Sequence, residues 1–431
     1  MKGEMQMLDR TEQEYLTAGG IPVYAFPSEH LHSFALSLYV RGGALFESAE
    51  RAGVSHLIEH LVFRSINRYM DGALYKTLDR LGLSVEGVTY REFLQFTVTG
   101  APKHFETAAR ILSLALAPLS LSREDLETER ARVKAEIREE GEKSSLDYFT
   151  DGILFGDRHP LSRTITGTAK SLNRMTLSLL TKEKELLFSK ENIFFYLSGK
   201  LPENAVGVLL AETKGYSPIK AETRDNAVPV PDAFFQRNAT VMHKASDKTL
   251  VRLSFDIDTV RCTDAELTLL YDILFGDGEE CFFHQALSEK TGMIYSFRGY
   301  MDLYKSIGTI GVSYEIAPKN LLPSLQLAVD AIARAKIEAD EALPYVRAPY
   351  TDNAAFLLDD AQALGFNRAY ERYVLSLPYP TLRHRAAAYE TVTGERLCQI
   401  AKEIFRAQNA TLTLKARRVD ADALRAILLK L

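Results

Sequence analysis

The sequence predicts an α+β fold made of two similar domains, and three observations lead to this prediction. Strand-like stretches alternate with long helical patterns along the chain. A loose, proline-bearing stretch at about 215–235 divides the 431 residues nearly in half. The order of strand and helix patterns in the first half is then repeated in the second. We therefore expect two homologous α/β sandwich domains, over residues 1–220 and 221–431, each with helices packed on a mixed or antiparallel sheet.

The spacing of apolar residues gives the elements of the first half. Alternating apolar residues predict strands at 33–40 (SFALSLYV) and 92–98 (EFLQFTV). Amphipathic patterns predict helices at 102–120, 123–143 and 175–189. The first half is therefore expected to supply both the sheet and the helices of its own layers.

The second half follows the same order. The strand-like stretch LVRLSFDI precedes a helix that ends in YDILF, and a segment containing TGMIYSF comes next. The later run at 352–370 is expected to be mostly amphipathic helix whose apolar residues pack in a core. We treat this similarity of order as an internal duplication, although few residues are identical.

Composition and charge narrow the classes of function. The chain is 46% hydrophobic and 25% charged, as in ordinary globular proteins. A formal net charge of -5 gives no general attraction to nucleic acid or to an anionic membrane, so we expect neither as a partner. The opening MKGEMQMLDRTEQEY lacks the apolar core of a secretory signal, and no run reaches the length of a membrane span. Three cysteines without CxxC spacing fit a reducing compartment, and we predict a cytoplasmic protein.

The most informative motif is HLIEH at positions 56–60, inside the otherwise apolar GVSHLIEHLVF. Residues four apart lie on one face of a helix, so His56 and His60 can bind one ion together, with Glu59 beside them. Two neutral imidazoles suit zinc, which in catalytic sites takes three protein ligands and keeps a position for water. The HxxEH order is the inverzincin signature. A polar helix face would carry the same residues, so a third ligand is needed to decide.

The third ligand is expected on the predicted helix 123–143. Ser122 can cap this helix, and Asp125 can complete a capping box. Glu129 and Glu136 lie close to its apolar stripe and are separated by nearly two turns, so they point the same way. One of them could bind the metal while the other supports it. The alternative is that both are ordinary surface acids of an acidic helix.

In the second half, our alignment places Leu267, Leu270 and Tyr271 at the positions of His56, Glu59 and His60, so only the first half keeps the polar trio.

Four stretches of the first half occur together in a distinctive order and spacing. They are RGGALFESAERAGVSHLIEHLVFRS, ETERARVKAEI, HPLSRTITGT at 159–168 and SKENIFFYLSGKL at 189–201. Together they resemble the pitrilysin-like or insulysin-type zinc peptidases of family M16, which include mitochondrial processing peptidase and small bacterial processing proteases. TGMIYSF carries the resemblance more weakly into the second half.

The resemblance implies a specific role for each residue of the site. Zinc would be bound by His56, His60 and Glu136, with Glu59 as the general base and Glu129 as an acidic support. The implied chemistry agrees with these residue types, because a carboxylate beside a zinc-activated water can take the proton and later return it to the leaving amine.

The resemblance also implies that substrate binds as an added strand along a sheet edge, a mode in which backbone hydrogen bonds give affinity. The matching segment is SVEGVTYRE at 84–92, where the family usually has Asn-Ala in place of Glu86-Gly87. We hypothesise that Glu86 favours basic or amino-terminal groups of the bound peptide. An unchanged cleavage-site profile after Glu86→Asn would remove this hypothesis.

A second departure from the family concerns the assembly. Relatives usually carry an arginine seven residues before a tyrosine in the non-catalytic copy, and the pair is implied to hold substrate and stabilise the oxyanion. Tyr295 is present here, and we assign it a catalytic and substrate-binding role, but the arginine position is Ser288. Arg298 is an alternative source of positive charge. A homodimer without the arginine and a heterodimer with an M16 paralogue that supplies the pair both stay open.

The expected function is that of a zinc-dependent endopeptidase, a hydrolase acting on peptides or unfolded precursor segments, with a leader or processing peptidase as one form. A chain of this length resembles one half of a large single-chain insulysin, so two chains would form a clamshell around a chamber. The alternative is a non-catalytic binding or scaffold subunit of a heterodimeric M16 pair. Intact ligands and an intact base favour the enzyme, because a degenerate subunit usually loses them.

Overall fold

The computed structural model of the chain describes residues 7–140, 145–221 and 228–431. Parts of three predicted segments lie outside the described residues: the opening residues 1–6, positions 141–143 of the helix predicted at 123–143, and positions 222–227 of the predicted linker. The described strands are β1 Gln13–Leu16, β2 Pro22–Pro27, β3 Phe34–Arg41, β4 Ser84–Thr89, β5 Phe93–Gly100, β6 Ile193–Gly199, β7 Thr240–Lys244, β8 Thr249–Ile257, β9 Phe297–Leu303, β10 Gly308–Ile316 and β11 Ala410–Lys415. The described helices are α1 Val54–Tyr69, α2 Leu74–Leu81, α3 Phe105–Ser113, α4 Arg123–Glu140, α5 Ser145–Phe155, α6 Ala169–Arg174, α7 Leu177–Leu187, α8 Ala205–Glu212, α9 Asp264–Phe275, α10 Phe282–His284, α11 Leu321–Arg347, α12 Ala361–Ala369, α13 Leu382–Glu390, α14 Gly394–Ile404 and α15 Ala421–Leu428.

The chain divides into two compact units that exchange segments. The first unit consists of the described residues of Met1–Gly141, Arg163–Asn226 and Ala355–Leu382, and the second contains the rest. Each unit therefore includes a piece from the other half of the sequence: α12 belongs to the first unit and α5 to the second. The boundary between homologous domains at residue 220 stays a prediction.

The first unit is built on a six-stranded sheet in the order β1-β2-β6-β3-β5-β4. Strands β2 and β6 run parallel, and the other neighbouring pairs are antiparallel. On one face, Leu36 and Leu38 of β3 share a core with Leu57 and Leu61 of α1. Because strand side chains alternate, Tyr39 points to the opposite face.

That opposite face is covered by Ala355–Leu382, the segment of the second half of the sequence that belongs to the first unit. Tyr39 and Tyr196 share a cluster with Leu364 of α12, so the central strands are buried on both faces. Arg368 of α12 is fully buried, and its Nε lies 2.9 Å from Oε1 of Glu12, which also accepts a 3.0 Å hydrogen bond from the Tyr196 hydroxyl. Burial of a large apolar side chain contributes about 1.5–3 kcal/mol, so this layer is an integral part of the unit.

The second unit repeats the arrangement on a five-stranded sheet in the order β7-β11-β8-β10-β9. Helices α9, α11 and α14 supply one core face. The other face is contacted by α5, where the Thr150 and Thr413 hydroxyls lie 2.5 Å apart and Arg237 donates to the Leu154 carbonyl at 2.7 Å. The prediction of an α+β fold with helices packed on sheets is therefore confirmed.

Two helices predicted from periodicity are shorter than expected. The helix predicted at 102–120 continues as α3 only to Ser113 and ends in a 3-10 turn, with Ala117 extended before Pro118. Proline disfavours helical backbone at the residue before it, which explains the break. In the run at 352–370 only α12 is α-helical; the 3-10 segment Ala354–Asp359 precedes it, and a π-helical turn begins at Tyr370.

Within residues 7–140, 145–221 and 228–431, no helix combines the length and the apolar content needed to cross a bilayer. The three cysteines, Cys262, Cys281 and Cys398, are all free thiols.

Candidate metal centre

A buried carboxylate fixes the start of α1, the helix that carries HLIEH. The Glu47 carboxylate accepts hydrogen bonds from the backbone N–H groups of Gly53 (2.7 Å) and Ser55 (2.8 Å). Burial raises the pKa of Glu47, although these hydrogen bonds oppose that rise. Because the first N–H groups of a helix have no partner within the helix, Glu47 satisfies two donors that would otherwise be buried unpaired.

Two glycines bring the HPLSRTITGT stretch against the same helix end. Gly53 and Gly167 have φ values of 86° and 73°. A Cβ on Gly53 would lie 2.5 Å from the Thr166 carbonyl oxygen, and one on Gly167 would lie 2.2 Å from the carbonyl oxygen of Ala52. Only glycine allows this close backbone contact with positive φ. Two of the motif stretches therefore contact each other at the start of the helix that carries His56.

Helix α4 supplies the two glutamates in the predicted orientation. Its capping box is confirmed: the Ser122 N–H donates to Asp125 at 2.7 Å, and the Asp125 N–H donates to the Ser122 hydroxyl at 3.1 Å. Val133 is fully buried. Glu129 is buried as well, whereas the Glu136 side chain remains 38% exposed. The two carboxylates thus share a helix face but differ in access to solvent.

Three predicted ligands converge on one point. The Nε2 atom of His56 lies 2.9 Å from Oε2 of Glu136, and Nε2 of His60 lies 3.5 Å from Oε1 of the same carboxylate. One ligand atom from each of the three residues falls within 4.8 Å of the others. Both histidines are largely but not completely buried, with side chains 15% and 17% exposed.

This arrangement fits zinc. Tetrahedral zinc with bonds of about 2.1 Å holds its ligand atoms roughly 3.4 Å apart, close to the 2.9 and 3.5 Å that separate the Glu136 oxygens from the two imidazole nitrogens. The donor set of two imidazoles and one carboxylate is one that catalytic zinc sites use. The partly exposed Glu136 leaves the site reachable from solvent, as a site that also binds water requires.

The second glutamate orients His60. Oε2 of Glu129 lies 3.3 Å from Nδ1 of His60, so a proton on Nδ1 directs the lone pair of Nε2 towards Glu136. Arg64 donates from Nε to Oε1 of Glu129 at 2.8 Å, and Arg132 approaches the same oxygen at 3.2 Å. Burial opposes ionisation of Glu129, but the hydrogen bonds from His60 and Arg64 hold its pKa below the ordinary value.

Glu59 lies beside the ligands and is held by the edge strand β4. Its Oε2 accepts a 2.9 Å hydrogen bond from the Thr89 hydroxyl and lies 3.5 Å from Nδ1 of His56. Burial opposes protonation of His56, but the carboxylates of Glu59 and Glu136 raise its pKa above the ordinary value. A Cβ on Gly87 would lie only 2.7 Å from Oε1 of Glu59, so the absence of a side chain leaves this oxygen room.

The remaining predicted residues are placed as follows. Glu86 lies on β4 beside Gly87, and its Oε2 accepts a 3.0 Å hydrogen bond from Gln362 of α12. Tyr295 belongs to the second unit, where its side chain is 99% exposed ahead of β9. Arg298, considered as a substitute for the missing arginine, forms an ion pair with Asp147 in that unit. The structure thus brings together five of the predicted residues, which are His56, Glu59, His60, Glu129 and Glu136.

Three residues that fix the positions of these side chains or of their helix were not predicted from the sequence: Arg64, Thr89 and Glu47. Arg64 follows His60 by four positions, so the helical repeat could have placed it on the same face. Thr89 follows Gly87 by two positions, so strand alternation could have placed it beside Glu59. Nothing local marked Glu47 as a partner of the helix start, because its contact depends on the path of the loop before α1.

Comparison with known proteins identifies the domain. Residues 25–151 match the family model described as insulinase, peptidase family M16. Residues 25–151 therefore carry an M16 peptidase family domain. The match includes HLIEH and both glutamates of α4, so it covers all five clustered residues.

Curated relatives extend the similarity beyond the matched residues. An uncharacterized zinc protease of Mycobacterium tuberculosis is 22% identical over 325 residues, which cover 73% of this chain and 72% of that protein. Subunit 1 of the mitochondrial cytochrome b-c1 complex of Bos taurus is 19% identical over 296 residues, covering 65% of this chain and 60% of that subunit. Similarity therefore extends both to proteins named zinc proteases and to a subunit of the cytochrome b-c1 complex.

Solved structures show the fold of nearly the whole chain. A protease from Helicobacter pylori superposes with a TM-score of 0.82 at 14% identity, covering 94% of this chain and 99% of that one. A domain from Pseudomonas fluorescens, described as an inactive peptidase M16 domain, gives 0.77 at 17% identity, covering 95% and 98%. The periplasmic protease PqqL of Escherichia coli gives 0.77 at 15% identity, covering 98% of this chain but 50% of PqqL. The chain thus has the fold of one half of a longer M16 protein, as predicted.

Proposed function

We propose that the chain is a zinc-dependent endopeptidase that cleaves extended peptides or unfolded precursor segments. The observation that carries this proposal is the convergence of His56, His60 and Glu136 with the Glu59 carboxylate beside them. A set of two imidazoles, a ligating carboxylate and a neighbouring free carboxylate suits hydrolysis assisted by a metal.

His56, His60 and Glu136 would hold the zinc ion, and Glu129 would keep His60 in the required tautomer. Zinc, when bound, lowers the pKa of a coordinated water to about 7 and polarises a carbonyl oxygen. Arg64 keeps the Glu129 carboxylate ionised and oriented. The relatives named zinc proteases support zinc over another divalent ion.

Glu59 would act as the general base. The Thr89 hydroxyl fixes one oxygen of its carboxylate, and the other lies beside Gly87. From there Glu59 can take a proton from the attacking water and return it to the leaving amine. A side chain at position 87 would intrude on this oxygen, which gives Gly87 a steric role next to substrate.

The edge strand β4 would hold the substrate. Among the described residues, β4 pairs only with β5, and it ends the sheet beside Glu59. An extended peptide can add to such an edge through backbone hydrogen bonds, whereas folded proteins do not present a free strand. We therefore propose peptides and unfolded segments as the substrate class, with processing of precursor leaders as one form of the activity.

A second chain of the same family would complete the enzyme. A match to half of PqqL supports pairing with another half, either an identical chain or an M16 paralogue. Ser288 stands where relatives carry arginine, and Arg298 is paired with Asp147, so a guanidinium from Arg298 would require that pair to break. A paralogous partner would supply its own arginine and tyrosine. A cytoplasmic location stays a prediction.

A non-catalytic binding subunit is the second candidate. The similarity to cytochrome b-c1 subunit 1 and to an M16 domain described as inactive favours it. The complete set of ligands, base and supporting carboxylate in one site favours the enzyme.

The deciding experiment combines metal analysis with peptide digestion. We expect the purified chain, alone or with its paralogue, to contain about one zinc per site and to cleave an unstructured peptide until a chelator is added. Glu59→Gln should retain zinc and bind peptide but cut it about 10²–10⁴-fold more slowly, the usual contribution of a general base. Glu124→Gln on the exposed face of α4 is the matched control and should cut normally.

Native mass spectrometry of the same samples reports the assembly. A zinc-loaded chain that cleaves nothing, alone or with a paralogue, would support the non-catalytic subunit. Full cleavage by Glu59→Gln would remove the assignment of the base.

A further inference from the structure

A groove lies on the face of β4 opposite Glu59. It has a volume of about 430 Å³ and is lined by Glu86 and Val88 of β4, Tyr90 after the strand, and Asp360, Gln362 and Phe366 at α12. All of these residues belong to the first unit. The α12 side of the groove therefore comes from the segment that the second half of the sequence contributes.

Strand geometry separates the groove from the metal centre by the thickness of one strand. Gly87 and Thr89 face α1, because a Cβ on Gly87 would contact Phe63 and the Thr89 hydroxyl donates to Glu59. Successive strand residues point to opposite faces, so Glu86 and Val88 point into the groove. An extended peptide added to β4 alternates in the same way. Every second side chain of that peptide would reach the groove.

The groove combines negative charge with aromatic surface. Glu86 accepts a hydrogen bond from Gln362 at 3.0 Å, and Asp360 caps α12 by accepting from the Ala363 N–H at 2.7 Å. The rings of Tyr90 and Phe366 lie with their centroids 5.9 Å apart. No lysine or arginine is among the described residues that line the groove.

This chemistry suits a long cationic side chain. The aliphatic stem of lysine or arginine packs on apolar surface while its charged end remains near carboxylates and water. A charged end beside Glu86 would make a charge-assisted hydrogen bond, which is stronger than a neutral one. An acidic side chain would meet two carboxylates, and a short apolar one would leave both without a partner of opposite charge.

We propose that this groove is a side-chain subsite for the peptide on β4 and that it selects lysine or arginine through Glu86 and Asp360. The proposal rests on the proposed function, since it takes β4 as the substrate-binding edge. It assigns the basic preference to a side chain within the peptide and not to its amino terminus, because an added strand presents side chains to the groove.

The test measures binding separately from cutting. Glu59→Gln protein, expected to bind without cutting, is titrated into fluorescent unstructured peptides that differ at one position, with lysine, norleucine or glutamate there. Each peptide is also made with an acetylated amino terminus. We expect the lysine peptide to bind about tenfold more tightly than the norleucine peptide, with or without acetylation, as one charge-assisted hydrogen bond allows.

Substitutions in the groove then show which carboxylates are responsible for the lysine preference. Glu86→Gln should reduce the lysine preference several-fold, and the double variant with Asp360→Asn should remove it while the amide still caps α12. The matched control is Glu106→Gln, an exposed acid on α3 at the other face of the sheet. The control should retain the full preference.

The outcomes separate this proposal from the proposed function. Equal binding of the lysine and norleucine peptides, with normal cleavage by the unmodified chain, overturns the subsite alone. A preference that disappears on acetylation assigns it to the amino terminus and likewise overturns the subsite. Absence of both binding and cleavage for every peptide, with the paralogue present, overturns the proposed function and the subsite with it.

Discussion

Replacing Glu129 by glutamine tests how the metal centre is held. The change keeps the shape of the side chain but removes the charge that faces His60 and Arg64. In the structure, Glu129 is 2% exposed and lies 3.3 Å from Nδ1 of His60. The amide can still accept a hydrogen bond from Nδ1, but it raises the basicity of the imidazole less than a carboxylate does.

The size of the effect follows from this contact. Loss of an outer partner of a ligating histidine usually lowers metal affinity 10–100-fold, or about 1.4–2.7 kcal/mol of binding free energy. Arg64 loses its nearer carboxylate partner at the same time, since its Nε donates to Glu129 at 2.8 Å, and keeps the longer ion pair with Asp125 at 3.9 Å. We therefore expect the zinc dissociation constant to rise about 10–100-fold, together with a smaller loss of folding stability.

The assay is competition for zinc against a chromophoric chelator, with circular dichroism as a check on folding. Glu124→Gln, on the exposed face of the same helix, serves as the control and should bind zinc like the unmodified chain. Arg64→Met should weaken zinc binding less than Glu129→Gln, because the carboxylate remains. Unchanged zinc affinity in folded Glu129→Gln protein would refute the idea that this carboxylate orients His60.

Three further predictions concern the scaffold. Arg368→Met leaves Glu12 buried without its main cation and should lower the unfolding free energy by about 3 kcal/mol in urea titration, the low end for a broken buried pair because Arg372 still contacts Glu12. Burial raises the pKa of Asp272 to about 6, so the folded state binds this proton more tightly and its stability contribution falls as pH rises from about 4 to 6. Asp272→Asn should flatten that pH dependence and stabilise the protein by about 1–3 kcal/mol at pH 7, measured by urea unfolding across pH. Gly53→Ala forces a side chain onto a backbone with φ of 86° and should cost more than about 1 kcal/mol, measured by thermal unfolding.

Each of these predictions has a matched control. Arg110→Met and Asp422→Asn alter exposed residues and should change stability by less than about 0.5 kcal/mol. Gly72 has a similar φ of 80° but open space where a Cβ would lie, so Gly72→Ala should cost less than Gly53→Ala. Equal losses for the two glycines would contradict the steric argument. A fall in stability between about pH 4 and 6 that is as large in Asp272→Asn as in the unmodified chain would contradict the assignment of that titration.

Local pattern was sufficient for much of the metal centre. A helix repeat fixes which side chains share a face, so HLIEH placed His56 and His60 together before any fold was known. The capping box of Ser122 and Asp125 also depends only on residues three apart, and the structure confirms it. The α+β class also followed from local pattern, because each strand or helix pattern can be recognised without knowing which other element it contacts.

Tertiary structure decided what lies between distant segments. Glu47 reaches the start of α1 through the path of the loop before that helix, which no local repeat describes. No pattern in the sequence indicated that α12 would cover the first sheet or that α5 would cover the second. An amphipathic helix reveals that it has an apolar face, but the surface that buries this face is chosen by packing across the whole chain.

The sequence by itself therefore determined the candidate ligand residues, their helical spacing and the class of fold. Only the tertiary structure decided that the carboxylate of α4 meets the imidazoles of α1, and that β4 lies between Glu59 on one face and an acidic groove on the other. The physical reason is the separation along the chain of the residues that come into contact. Backbone geometry relates residues a few positions apart, whereas residues 80 or 276 positions apart meet only where burial of apolar surface brings their elements together.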